Sequence, residues 1–200
     1  MYGMVWSRKP SKDRRYRVLG IRCAVDPVLH ALAPLGLASA QGTALVVDLD
    51  DEAPSYPGST SLAKLVVSQP RLSDLRPLRP GVAVLPNGSV HPREAEDVIE
   101  ALVAGWPAVV LRFGAAQGLP PALLNVPVVP VAPLLPGFLH PSLAGAAVYQ
   151  SLFPGPPPRL RGVVLPPLGR SHIQGMLTGA ALPPRRWVRA WEQVWEASWR

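Results

Sequence analysis

Two short runs, residues 44–49 (ALVVDL) and 108–113 (AVVLRF), are apolar at nearly every consecutive position rather than every second one. A strand with one face in water alternates, so such runs belong to strands covered on both faces, as in parallel sheets layered between helices. The intervening segments agree. Residues 17–22 (RVLGIR) predict a first strand, and apolar positions from Val25 to Leu37 predict a helix interrupted near Pro34. A short helix is expected over residues 61–68 (SLAKLVVS) and a strand over 82–86 (VAVLP). Residues 93–105 (REAEDVIEALVAG) place Ala95, Val98, Ile99, Leu102 and Val103 on one helical face, with Gly105 as a stop.

Farther on, residues 126–134 (VPVVPVAPL) and 162–165 (GVVL) predict strands, the first disturbed by prolines and therefore expected close to a sheet edge. Residues 140–153 (HPSLAGAAVYQSLF) read as a helix with Pro141 in its first turn, and 154–158 (PGPPP) as a stiff connector. The fold class is α/β: a doubly wound, mostly parallel sheet with helices on both faces, plus an amphipathic C-terminal helix. At 200 residues, 48% of them hydrophobic, the chain suits one cored domain over residues 17–169, a basic arm over 1–16 and a helical segment over 170–200, packed on the domain or on a partner.

Residues 114–157 contain no charged side chain, yet prolines recur through them and forbid a continuous helix, so the span reads as core rather than a membrane crossing. The lone Cys23 excludes an internal disulfide and a cysteine-based zinc site. The first residues lack the apolar stretch of a secretory signal, and a cytoplasmic location is expected. The net charge of +7 is uneven: residues 1–22 carry +6, residues 159–200 carry +5 and the body carries −4. Basic ends of this kind suit nucleic-acid phosphates or an anionic lipid surface as peripheral partners. The 17 Arg against 3 Lys equally fit a compositional bias.

The order of strand, helix, ALVVDLD, short helix, PGVAVLPNGS, helix and WPAVVLRF resembles the ParA/MinD family of P-loop ATPases, in a shortened form over residues 17–170. VVDLD followed by a loop rich in Pro, Ser and Gly carries most of the likeness. The resemblance implies a doubly wound fold that dimerises around ATP and positions chromosomes, plasmids, septa or pilus machinery, often on DNA or membrane. Two departures stand against ATP. The turn after the first strand reads IRCAVDPVLHALA, without the glycines and lysine that a phosphate loop needs, and with Asp26 and Pro27 suited to an ordinary helix start. The strand AVVLRF ends in Arg112, Phe113 and Gly114 where such a family has an aspartate.

Asp48 matches the family's other acidic position and is expected to be a vestige of the nucleotide site. Asp50, Asp51 and Glu52 beside it are expected to form a solvated loop or to attract a cation weakly. Gly58-Ser59-Thr60-Ser61 reads as a helix cap, and the scattered His30, His91, His140 and His172 show no ligand spacing. No catalytic residue, cofactor or metal is expected.

The C-terminal stretch 183–200 repeats tryptophan every four residues, at Trp187, Trp191, Trp195 and Trp199, on one face of a helix that begins after Pro183 and Pro184. With Arg185, Arg186 and Arg189 these form the candidate interaction residues. Three destinations are open: the domain's own sheet, a partner protein or second copy, or a membrane interface. The reading is a non-catalytic scaffold that binds another protein or itself. Its rivals are an enzyme whose site the sequence does not reveal and a nucleic-acid-associated protein using its basic arm.

Overall fold

The computed structural model describes residues 16–23, 26–71, 75, 77, 80–114, 120–134, 147–154 and 162–199. The elements run β1 (Val18–Arg22), α1 (Pro27–Ser39), β2 (Thr43–Asp48), α2 (Leu62–Ser68), β3 (Gly81–Leu85), α3 (Glu96–Gly105), β4 (Val109–Phe113), β5 (Val128–Leu134), β6 (Ala147–Ser151), β7 (Gly162–Leu165), α4 (Arg170–Leu177) and α5 (Arg185–Glu196). The seven strands form one sheet in the order β3-β2-β4-β1-β5-β6-β7, and every pairing is parallel.

Strand periodicity sorts the core into two layers. Ala44 and Val46 of β2, Val110 of β4 and Leu19 and Ile21 of β1 face α1, α4 and α5. Leu45, Val47, Val109, Leu111 and Phe113 face α2 and α3 on the other side. Both faces are thus buried, as the unbroken apolar runs require. The helix starts follow local chemistry: Asp26 caps α1, its Oδ1 accepting the Leu29 N–H at 2.8 Å, with proline in the first turn. Ser61 caps α2 through the Lys64 N–H.

Three sequence expectations need correction. The helix at Pro34 is not interrupted, since α1 continues through it to Ser39. Burial of Leu29, Leu32, Ala33, Leu37 and Ala38 against the sheet outweighs the one backbone bond that proline removes. The segment expected to be helical over 140–153 contains β6 instead; its first seven residues lie outside those described. A strand buried on both faces and a buried helix segment share the same run of apolar residues, so periodicity could not separate them.

The proline-bearing β5 is central, not an edge. It pairs with β1 over Val128–Pro130 and with β6 over Val131–Leu134. Pro130 therefore sits at the last position of one pairing, where a missing donor costs least. A smaller shift concerns α3, which starts at Glu96, three residues later than its sequence suggests. No helix among the described residues is long and apolar enough to cross a membrane.

Candidate functional site

β2 and β4 lie side by side with Asp48 directly opposite Arg112. Both side chains point to the α1 face, following Val46 and Val110 by two residues. They meet as an ion pair, Arg112 Nη1 donating to Asp48 Oδ2 at 3.0 Å, and both are essentially inaccessible to solvent. The same Nη1 donates to the Pro54 carbonyl at 3.1 Å, and the guanidinium lies 5.0 Å from the centre of the Tyr56 ring. Tyr56 in turn donates its hydroxyl proton to the Ala31 carbonyl on α1 at 2.7 Å. The loop after β2 is therefore folded over the ends of β2 and β4 and fastened to the first turns of α1.

A second pair lies beside the first. His30 of α1 and Asp50 meet at 2.8 Å between Nε2 and Oδ2, both buried. Asp50 Oδ1 accepts the N–H groups of Glu52 and Ala53, each at 3.1 Å, while Asp48 Oδ1 accepts the Asp50 N–H at 3.2 Å. Each carboxylate thus fixes backbone together with a side-chain partner, Asp48 with Arg112 and Asp50 with His30.

The environments drive these groups apart. Burial pushes the Asp48 carboxyl up to about 6, against the downward pull of Arg112. Burial also lowers His30, with Arg112 acting in the same sense and Asp50 opposing it. Asp50 is held below its usual range by His30 and by its backbone donors, which overcome burial. Burial raises the Tyr56 phenol, so it remains a neutral donor.

His30 therefore contributes stability above its unfolded value of 6.5, and that contribution declines as pH falls below it. Asp48 acts in the opposite sense, because its raised value means that the folded state gains the proton first between 3.8 and about 6. His30→Gln keeps a donor for Asp50 but cannot titrate. Compared with the native chain, this variant should gain in relative stability as pH is lowered below 6.5, measured by urea unfolding at successive pH values.

The expectation of a solvated acidic loop is overturned at Asp50, which is buried beside Asp48, whereas Asp51 and Glu52 are exposed. His91 and His172 are exposed, and His140 lies outside the described residues. Among the described residues, no group of three His, Cys, Asp or Glu side chains is placed to hold a metal. At the start of α1, where a phosphate would meet free backbone amides, the Leu29 amide is already taken by Asp26.

Sequence reasoning missed Arg112, Tyr56 and the His30–Asp50 pair as partners. One signal was available. Asp48 and Arg112 are the charged residues in two otherwise apolar strands, and each follows the core residues of its own run at even spacing.

The tryptophan face goes inward. Trp187, Trp191, Trp195 and Trp199 are all buried, in the same core layer as α1 and β1. Trp187 Nε1 donates to Gln150 Oε1 at 2.8 Å, Trp195 Nε1 to the Leu37 carbonyl at 2.9 Å and Trp199 Nε1 to the Val194 carbonyl at 2.6 Å. The Trp187 and Trp191 rings meet edge to face, 5.6 Å apart. Gly36 lets α1 approach them: a Cβ there would lie 2.5 Å from Trp187 and closer still to Trp191. The four rings therefore join α5 to its own domain, leaving Arg185, Arg186 and Arg189 on the exposed side.

No family model matches the sequence, and no curated protein does. Among solved structures, a ParA family ATPase from Chlorobium tepidum TLS aligns with a TM-score of 0.62 and 13% identity, over 90% of this chain and 98% of that one. Identity this low speaks to architecture alone. The chain has a ParA-like α/β fold, with a buried ion-pair cluster at the ends of β2 and β4.

Proposed function

We propose that this chain is a pseudo-ATPase: a ParA/MinD-like domain that binds no nucleotide, catalyses no reaction and acts by holding another protein or a second copy of itself. The observation that carries this reading is the Asp48–Arg112 pair under Pro54 and Tyr56. A carboxylate that serves a metal-bound triphosphate must be open to the metal and to water. Asp48 is instead neutralised by a guanidinium of its own chain and covered by the loop that follows it. The Asp26 cap and the absence of glycine and lysine between Ile21 and Ala33 support the same reading from the phosphate side.

The cellular role that goes with this reading is positioning or scaffolding in a cytoplasmic division, chromosome or pilus-type apparatus, by analogy of fold. Calorimetric titration of the purified chain with ATP and magnesium tests its first half. We expect no saturable heat below about 1 mM ligand, weaker than about −4 kcal/mol. Micromolar affinity would overturn the pseudo-ATPase reading. The second half is tested by size-exclusion chromatography with light scattering and by crosslinking, which should reveal a self-associated or partner-bound form that is indifferent to added nucleotide.

A further inference from the structure

Among the described strands β3 is an edge of the sheet, paired with β2 alone. The Gly81 N–H bonds the Gly42 carbonyl at 2.9 Å, so Gly81, Ala83 and Leu85 turn their backbone groups toward β2. Val82 and Val84 alternate with them and turn theirs outward, where no backbone group of a described residue meets them.

An open edge of this kind is a template for another strand, and proteins commonly block it with a lysine, a proline or a bulge. β3 has none of these within its length. Its register with β2 is unbroken from Gly81 to Leu85, and residues 80–90 contain no charged side chain. Val82 lies on the α1 side of the sheet with Val84 and is 39% exposed. The opposite edge, β7, is shorter and runs into Pro166 and Pro167.

The edge is also symmetric about Ala83: Val82 and Val84 flank it at equal distance, and so do Pro80 and Pro86. A two-fold axis through Ala83 would set Val82 antiparallel and opposite Val84 of a second copy, and the backbone groups that then exchange are the outward ones. Valine faces valine in both cross-strand pairs, on one face of the sheet. The prolines, which have no N–H to offer, close the ladder at its two ends.

We propose that β3 is a self-association edge, to which a second copy of this chain adds antiparallel about Ala83, so that the sheet continues from one copy into the other. A strand of another protein would meet the same backbone groups, but only a second copy makes use of the symmetry. The proposal rests on the associating half of the scaffold reading and is independent of the nucleotide site. A contact built on one short strand falls among the smaller interfaces, so the dimer should dissociate on dilution through the micromolar range.

Sedimentation equilibrium of the full chain, with and without ATP and magnesium, tests this. The native chain should pass reversibly from monomer to dimer as concentration rises, with or without nucleotide. Val82→Lys keeps every backbone group but puts an ammonium where Val84 of the second copy must pack. Val82→Pro removes an outward N–H that β2 does not use. Each should weaken association by about tenfold or more with its urea transition unchanged, and the lysine variant decides alone if proline disturbs the fold. Ala83→Cys in a Cys23→Ala background should form a disulfide between copies on mild oxidation, because the two Ala83 Cα atoms would face each other at about 4.5 Å. A native chain that stays monomeric overturns the proposal, as does failure of the Ala83→Cys crosslink. A dimer that Val82→Lys leaves intact overturns it as well, while the scaffold reading survives through another surface. Tight ATP binding would instead sink the pseudo-ATPase reading and leave this edge in place.

Discussion

Replacing Trp191 and Trp195 together by alanine should unfold the domain. Each ring is almost wholly buried between α1, the sheet and the rest of α5, and truncating a buried aromatic to alanine costs about 3–5 kcal/mol. The two losses approach about 6–10 kcal/mol, comparable with the whole stability of a typical domain, about 5–15 kcal/mol. Loss of the Trp195 bond to the Leu37 carbonyl adds to this, because that carbonyl lies at the buried end of α1. Near-UV circular dichroism should be lost, and the urea transition of the double variant should vanish or move to very low denaturant.

The single Trp195→Ala should remain folded with a transition lowered by about 3–5 kcal/mol. A double variant that keeps its native transition but no longer associates would instead make the face an interface, contrary to the burial. Gly36→Val tests the same contact from the other side: a side chain there must displace the Trp187 and Trp191 rings. It should cost as much as a tryptophan truncation without removing any ring.

The parts of this architecture that were legible in the sequence are those in which one residue type answers one local demand. Asp26 followed by Pro27 marks a helix start, and Ser61 marks another. Continuous apolar runs mark strands with two covered faces, and the tryptophan repeat marks a helix with a face to hide. The repeat did not tell where that face goes. Its destination depends on Gly36, more than 150 residues away in sequence, whose missing side chain leaves room for two indoles. Tertiary space of that kind has no local signature.

The site follows the same division. Asp48 stood out because it ends an apolar strand, but its meaning depended on Arg112, and their adjacency is a matter of register between β2 and β4. The His30–Asp50 pair was hidden for a further reason. Ligand spacing is a property of one element, whereas this pair joins a helix to a loop after a different strand. β6 was misread because nothing in AVYQS distinguishes a strand with two buried faces from a helix with one.

Breaking the Asp48–Arg112 pair from its two sides should give unequal results. Asp48→Ala leaves a buried guanidinium that cannot shed its charge, and removing one partner of a buried pair costs about 3–5 kcal/mol. Arg112→Met leaves a carboxyl that can escape by taking a proton. Burial already raises Asp48 to about 6, and without Arg112 it rises further. A raised folded value means that stability is present at low pH and lost as pH rises through that value, so Arg112→Met should be more stable at about pH 5 than at about pH 8.

Asp48→Ala should show no such gain, because it has lost the group that titrates. The double change Asp48→Leu, Arg112→Met should recover most of the loss, since a packed apolar pair often equals or exceeds a buried ion pair, by up to about 4 kcal/mol. Urea unfolding of the four proteins across pH completes the cycle. Recovery would make the pair a filling for a site with no remaining chemistry. If the double variant is as weak as Asp48→Ala, the guanidinium's hold on Pro54 and Tyr56 is what the fold needs, and the fastening of the loop after β2 is the part of the cluster that carries the stability.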